Sequence, residues 1–449
     1  MSGQGGLPRR AAIVSLPRGF VPPTHVVSGE RFSGPVMTIL LIGIFPFFAQ
    51  TFYYLHEFPL PYLLSKAWPV LCVPLTLYAL INMRLPAKNM FLFFFAYAIG
   101  FTPLNSILRL GNGLSDAFIT TVKVWPLTYY FALSALLVWL SPHVGRLRTV
   151  IIGLGYATFV VMILLWLVLP TSSYVNDPAL GKLLMQDIER GYRIYMPMFF
   201  GSLLLFYLTR SFMQQPRWLP VLFILIGFIA LLSIYKQRTA IGGMFLVCVN
   251  AAVLSLAPQR RLLVIGLFLA VVPLGIGYLV VHNADGLVES LGGSLTVRQT
   301  SLALATNFLG DDPWRWLFGV GATTRFGSVT LADIFGNSQF FIADLGWIGI
   351  IFEYGLLGAL LLAGLYGWGL YCVLSLTRGS KDPLALAMSD YIIYMLVTST
   401  VYSLVFTPGE LGVVMALAVY FTRARAGRGH VAPSAHRVRF AINRQPKGH

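Results

Sequence analysis

The stretch Ser233–Asn250 reads SIYKQRTAIGGMFLVCVN. An apolar run ends near Tyr235. Three polar residues follow, Lys236, Gln237 and Arg238, and a second apolar run begins at once. Such a pattern reads as two membrane spans joined by a tight turn. Two cations in a turn of that kind are costly unless they have a task. The rest of the chain fixes which side of the membrane the turn faces.

The 449 residues are 57% hydrophobic and only 11% charged, with a mean hydropathy of +0.75. A soluble domain carries about 25% charged residues, so the composition is that of an all-α polytopic membrane protein. The formal charge of +16 does not imply a nucleic-acid partner, because the cations lie mostly in short loops and in the two tails. There they act as topology signals and attract anionic lipid. Cys72, Cys248 and Cys372 all fall inside apolar runs and read as packing residues. None of the seven histidines pairs with another at a ligand spacing, so no metal site is expected. Arg9-Arg10 precedes an apolar run, AAIVSL, too short for a signal sequence.

A helix needs about 20 apolar residues to cross a bilayer. That criterion predicts twelve spans, near 34–54, 62–83, 89–108, 118–140, 148–170, 194–213, 217–235, 238–257, 261–281, 345–376, 384–405 and 408–424. The tenth is longer than one crossing requires, which predicts a tilt or an extension beyond the membrane. With the N-terminus inside, 21 of the 32 cations fall in inner segments, among them Arg210 and Arg217, and most acids fall outside. Both termini are therefore expected in the cytoplasm. The organisation is a cytoplasmic tail (1–33), nine spans (34–281), an outer loop (282–344), three spans (345–424) and a basic cytoplasmic tail (425–449). The Lys236–Arg238 turn then faces outward.

Two outer segments are long. The first, 171–193, reads as polar with a short helical middle. The second, 282–344, contains TVRQTSLALATNF at 296–308, with Val297, Leu302, Ala305 and Phe308 spaced for a helix lying on the membrane surface. A Gly-rich turn, Phe318–Ala322, follows, without the strand and helix of a dinucleotide site.

The outer cations divide by position. Arg109, Arg190, Arg193 and Arg315 sit in loops beside acids or amides and read as solvated charges. Lys236 and Arg238 lie at span ends, where a side chain can turn into a bundle cavity or snorkel to headgroups. Arg298 lies on the candidate surface helix. Lys66, Lys123 and Glu353 lie inside span ends, where ionisable groups are site candidates unless they form a structural Lys–Glu pair. Several cations in a low-dielectric cleft suit a phosphate or diphosphate carried on a lipid.

Three motifs carry a resemblance. QRTAIGGMFL (Gln237–Leu246) resembles the motif that opens a central span in the O-antigen ligase and polymerase superfamily of bacterial membrane glycosyltransferases. VRQTSLALATNFLGDDPWRWLFGVG (Val297–Gly321) resembles that family's periplasmic loop. FIADLGWIGIIFEYGLLGALLLAG (Phe341–Gly364) resembles the loop end and next span, where Glu353-Tyr354-Gly355-Leu356-Leu357-Gly358 matches a recurrent E-x-G pattern. The resemblance covers roughly 220–365 by motif and the remainder by topology.

The resemblance implies a GT-C-like enzyme of the inner membrane with its active site facing the periplasm. It would join undecaprenyl-diphosphate-linked oligosaccharides, metal-independently and with inversion, and use no cofactor. Arg238 and Arg298 match the family's diphosphate-holding arginines, with Lys236 and Arg325 as helpers. The family's ligases place a histidine before the E-x-G span. Here Asn337–Asp344 has none, which favours a polymerase of repeat units over a ligase. The base is then Asp344 or, second, Glu353. Asn337 and Gln339 can only orient a hydroxyl, and Lys66 and Lys123 join them as substrate-orienting candidates. The bilayer and a chain-length-regulating co-polymerase are the implied partners. A ligase of finished glycan, or a transporter of lipid-linked or anionic solutes, remains the alternative.

Overall fold

The computed structural model describes residues 31–177, 180–187, 190–264, 266, 293–321, 325–326, 329–337, 340, 342–377 and 382–429. The helices in order are α1 (Gly34–Phe48), α2 (Pro59–Leu71), α3 (Val73–Asn82), α4 (Lys88–Ala96), α5 (Thr102–Leu110), α6 (Leu114–Ile119), α7 (Tyr129–Leu140) and α8 (Val144–Val168). After the hairpin β1 (Leu184–Asp187) and β2 (Gly191–Ile194) come α9 (Phe199–Gln214), α10 (Trp218–Ala230) and α11 (Arg238–Ser255). The second half holds α12 (Gly293–Leu309), α13 (Pro313–Phe318), the two-residue strands β3 (Arg325–Phe326) and β4 (Val329–Thr330), and α14 (Leu331–Phe335). It closes with α15 (Gly346–Thr377), α16 (Pro383–Thr398) and α17 (Pro408–Gly429).

In lipid every backbone polar group must be satisfied within the segment, so apolar runs become helices. Seven helical segments are long and apolar enough to cross a bilayer: Pro59–Asn82, Lys88–Arg109, Leu114–Leu140, Val144–Val168, Trp218–Tyr235, Arg238–Ser255 and Ile342–Thr377. Gly34–Phe48 and Pro383–Thr398 are shorter apolar helices. The chain is an all-α, multi-pass membrane protein. The expected ninth span, 261–281, lies almost wholly outside the described residues, as do most of the N-terminal tail and the end of the C-terminal one.

Burial sorts the helices. In α9 every residue from Phe199 to Leu205 is buried, and α7 is buried from Tyr129 to Leu137. A helix apolar all round belongs at the centre of a bundle. Accordingly α9 packs among α8, α10, α11 and α16, while α7 packs against α3 and α17. The peripheral α8 buries one stripe, including Leu147, Val150, Ile151 and Met162, and leaves Val160, Leu164 and Leu167 exposed.

Arg210, placed by its sequence position in an inner loop, is instead buried in α9. It donates from Nε and Nη2 to the two carboxylate oxygens of Asp390 on α16, at 2.7 and 2.6 Å. Its Nη1 reaches the Ala251 carbonyl of α11 at 3.3 Å. The loop reading failed because a buried acid one helix away is invisible in the linear sequence. This pair ties three helices together.

The segment 171–193 differs from its expected helical middle. It forms a hairpin with Leu184 opposite Ile194 and Asp187 opposite Gly191. Gly191 takes φ +66°, the left-handed turn that returns the chain. Val175 adds an edge contact, and Glu57 Oε1 accepts the backbone N–H groups of Lys182, at 2.9 Å, and Leu183. A carboxylate on the neighbouring loop thus supplies what local propensity did not.

The long α15 would measure roughly 48 Å if straight, against a hydrocarbon core of about 30 Å. It does not run straight: Gly355 has φ +69° and ψ 177°. The break frees the carbonyls of Phe352 and Glu353, which accept the N–H groups of Val320 and Gly321 at 2.8 and 3.0 Å. The Asn105 side chain holds the adjoining Phe318 and Gly319 carbonyls at 3.3 and 2.9 Å. The Gly-rich turn therefore docks into the E-x-G break. A second, smaller core of Ala305, Leu309, Val320, Leu331, Phe340, Ile342, Leu345 and Phe352 forms above it. Helix α12 packs into this core by Ala305 and Leu309 and leaves Leu302 exposed. Asp312 accepts the Trp314 N–H at the start of α13. That bond, with Arg109 and Arg315 nearby, holds its carboxyl below the usual carboxylate range.

Candidate functional site

A cavity of about 660 Å³ opens at the end of the bundle that carries the hairpin and the second core. Its walls come from the segments after α1 and before α9, from the α10–α11 turn, from residues 340–344, and from α16 and the start of α17. Its charged lining residues are Lys182, Arg193, Asp344 and Glu410.

Asp344 sits on the short 3₁₀ turn Ile342–Leu345 that leads into α15. The Ser403 N–H donates to the carbonyl of Ala343 at 2.9 Å, and Trp347 Nε1 donates to Ser399 Oγ at 3.0 Å. These bonds pin the turn to the chain after α16. Three guanidinium groups act on the Asp344 carboxylate electrostatically: Arg298 most strongly, then Arg190 and Arg193. They arrive from three elements, α12, the hairpin turn and β2. Arg193 also pairs with Asp187 at 3.4 Å and has 12% of its side chain exposed. The Nε groups of Arg190 and Arg193 are buried and have no hydrogen-bond partner among the described residues. A buried charged donor left unpaired is costly, so these two groups can take acceptors beyond those that the described residues supply.

The floor is aromatic and polar. Tyr195 and Tyr235 stack at 5.8 Å between centroids. Gln237 is 6% exposed and donates from Nε2 to the Tyr402 hydroxyl at 2.6 Å, while its Oε1 accepts the Tyr235 hydroxyl. Tyr391 donates to Glu410 Oε2 at 2.8 Å. Gln50 Oε1 accepts the Gly409 N–H at 3.1 Å, and its buried Nε2 has no partner among the described residues. Aromatic faces beside amide and carboxylate groups match the mixed apolar and hydroxyl character of a sugar.

The sequence candidates distribute unevenly over this geometry. Asp344 lines the cavity, and Arg298 acts on Asp344 electrostatically without lining the cavity itself. In the organising turn, the residue buried in the cavity wall is Gln237, not a cation. Lys236 adopts φ +55°, donates from Nζ to the Arg190 carbonyl at 3.0 Å and lies over the Trp166 ring. It therefore fixes the hairpin turn that presents Arg190. Arg238 is exposed at the start of α11 and is not among the lining residues. Lys123 and Glu353 form a buried ion pair with each other and do not line the cavity. Their mutual neutralisation is the structural reading of intramembrane charges. Lys66 stands over the rings of Tyr53 and Tyr54 at 3.5 and 5.1 Å. Asn337 follows α14, its carbonyl accepting the Phe340 N–H at 3.2 Å. Arg325 lies in β3, opposite Thr330. Gln339 falls outside the described residues.

Gln237 and Glu410 line the cavity although neither had a role assigned from the sequence, and Arg190 and Arg193, read from the sequence as solvated charges, have buried Nε groups here. The signal for Arg193 was its period-two spacing with Tyr195 at the edge of an apolar span. For Glu410 it was a lone acid at the start of an apolar helix.

No protein-family model matches the chain, and no curated protein matches it. Among solved structures, similarity is found to a chain from "Structural coordination of polymerization and crosslinking by a peptidoglycan synthase complex", at 19% identity. The alignment covers 75% of this chain and 96% of that chain, with a TM-score of 0.40.

Proposed function

We propose that this chain is an inner-membrane glycosyltransferase that polymerises oligosaccharide repeat units carried on undecaprenyl diphosphate. The observation that carries the reading is the placement of Asp344 and Arg193 on the cavity lining, with Arg298 and Arg190 also acting on Asp344 electrostatically and the buried Nε groups of Arg190 and Arg193 without a hydrogen-bond partner among the described residues. The motif resemblance of Val297–Gly321 and Phe341–Gly364 supports it. The proposed orientation has twelve spans, a GT-C-like arrangement, both termini in the cytoplasm and the cavity facing the periplasm.

In this reaction a sugar hydroxyl of one lipid-linked unit attacks C1 of the sugar attached to the other unit's diphosphate. The C1–O bond breaks with inversion, and its electron pair leaves on undecaprenyl diphosphate. Asp344 takes the hydroxyl proton. Arg298, Arg190 and Arg193 stabilise the charge that gathers on the leaving diphosphate, with Arg238 and Arg325 as further contacts from the resemblance. The Tyr195–Tyr235 pair and Gln237 hold the acceptor sugar. Glu353 takes no proton here, because Lys123 already occupies it. Asn337 and Gln339 remain candidates to orient a hydroxyl.

The test is the lipid-linked oligosaccharide profile of cells that lack the chain. Accumulation of single repeat units on undecaprenyl diphosphate supports a polymerase. Accumulation of full-length lipid-linked polymer replaces it with a ligase, and an unchanged profile replaces it with a transporter.

A further inference from the structure

On the cavity wall formed after α1 and before β1, two cations flank one aromatic ring. Lys66 Nζ lies 5.1 Å from the centroid of Tyr54, and Lys182 Nζ lies 5.6 Å from it. Lys66 also stands over Tyr53 at 3.5 Å and Tyr62 at 5.5 Å. The two ammonium groups are near enough for Lys182 to act on Lys66 electrostatically. Both side chains are half-buried, and Tyr54 and Lys182 line the cavity.

Like charges held together in a low-dielectric wall need a counter-charge. Among the described residues, neither ammonium has a carboxylate within ion-pair distance. Glu57, three residues from Tyr54, reaches this corner through the corner's backbone and not through either ammonium. Its Oε1 accepts the backbone N–H groups of Lys182 and Leu183, and its Oε2 faces His56 at 3.9 Å. Tyrosine faces attract cations but carry no net charge. The Tyr54 hydroxyl is itself tied down, donating to the Phe406 carbonyl, so the ring between the lysines is fixed. The corner is thus a doubly cationic surface whose ammonium groups have no ion-pair partner among the described residues, and neither lysine is among the groups that act electrostatically on Asp344.

We infer that Lys66 and Lys182, on either side of the cavity-lining Tyr54, form a second anion site at this cavity wall, one that holds the diphosphate of a second isoprenyl-linked molecule. Its role as the acceptor's site rests on the polymerase reading; the anion site itself does not. A polymerase that joins two lipid-linked units must hold two diphosphates, the one that leaves and the one that stays. The arginine cluster faces Asp344 and the reacting carbon. The lysine corner is built on α2 and the segment before β1, where a spectator diphosphate can be held while its sugar reaches inward. A lysine ammonium suits a group that must be held and then released, since it binds as a point charge without a bidentate fork.

The test measures undecaprenyl diphosphate bound to the full-length chain in phosphatidylcholine nanodiscs, by native mass spectrometry. The wild type should bind two equivalents. K66Q/K182Q should bind one, with at least about tenfold weakening of the other, and K66R/K182R should restore two. R193A/R298A should retain the lysine-dependent equivalent. Thermal melting of each variant confirms that it is folded. The inference is overturned if the wild type binds one equivalent, or if K66Q/K182Q still binds two. Repeating the measurement in nanodiscs containing phosphatidylglycerol identifies the source of the anion. Displacement of the lysine-dependent equivalent there means that the site holds a phospholipid headgroup, which keeps the anion site and removes its acceptor role. Two equivalents together with an unchanged cellular glycan profile would sink the polymerase reading while leaving the anion site standing.

Discussion

Replacing Gly355 by alanine tests how the arginine-bearing helix α12 is held over the cavity. Gly355 sits at φ +69° and ψ 177°, a region that only glycine adopts readily. A Cβ there would lie 2.2 Å from the Leu317 carbonyl oxygen and 2.5 Å from the Gly319 nitrogen. Both are backbone atoms and cannot swing aside. The backbone strain alone costs about 1–3 kcal/mol. Relieving the overlap pushes the 317–321 turn outward and breaks the two bonds from Val320 and Gly321 to the freed α15 carbonyls, each worth about 0.5–1.5 kcal/mol net. The expected penalty is about 2–6 kcal/mol, or roughly a 30-fold to 10⁴-fold rise in the detached state. Limited proteolysis of the detergent-solubilised protein should show new cleavage within 293–321, a lower melting temperature, and loss of chain elongation as Arg298 leaves Asp344. Gly153→Ala is the control, because a Cβ there meets no atom within 4 Å. Wild-type protease resistance and melting in Gly355→Ala would refute the docking of the Gly-rich turn into the helix break.

Other variants separate chemistry from scaffold. Asp344→Asn should lower the polymerisation rate by about 10²–10⁴-fold while retaining undecaprenyl diphosphate binding, checked by single-turnover elongation beside a binding assay. Arg193→Ala should weaken both rate and binding, since it removes a guanidinium from the leaving diphosphate. Equal loss at donor and at unrelated phospholipid would argue against that role. Arg210→Met should destabilise the fold by about 3–5 kcal/mol by stranding Asp390, and Arg210→Met with Asp390→Leu should recover most of it. Melting temperatures of the two variants measure this directly, and equal losses would mean that the pair is not buried as a unit. Gln237→Leu should raise the KM for acceptor more than it lowers kcat, because Tyr402 and Tyr235 lose their shared partner.

The sequence showed the apolar runs, and eleven of the twelve windows fall on helices of the described residues. Runs are legible because lipid imposes one backbone solution on them. Asp344 and Arg298 were singled out by motif order, and Asp344 lies on the cavity lining. What the sequence hid was pairing at long range. Glu353 and Lys123 could be read either as site candidates or as a structural pair; they are 230 residues apart, and only the fold shows that they neutralise each other. Arg210 and Asp390 are 180 apart and do the same deeper in the bundle. The turn Lys236–Arg238 was read by charge, so attention fell on the cations. Packing selected Gln237 instead, because an amide can be satisfied by Tyr235 and Tyr402 inside the wall while the flanking cations reach outward. The hairpin was missed because Glu57, which accepts its backbone N–H groups, comes from outside the segment.

The most direct test of the central claim is reconstitution. The purified chain is placed in proteoliposomes with single repeat units on undecaprenyl diphosphate, taken from cells that lack it, and products are resolved by gel while released undecaprenyl diphosphate is quantified. The account expects a ladder of lengthening glycan with one undecaprenyl diphosphate released per bond formed, and no ladder from Asp344→Asn. Repeat units that stay single with the folded wild-type protein, or a ladder undiminished in Asp344→Asn, would contradict it.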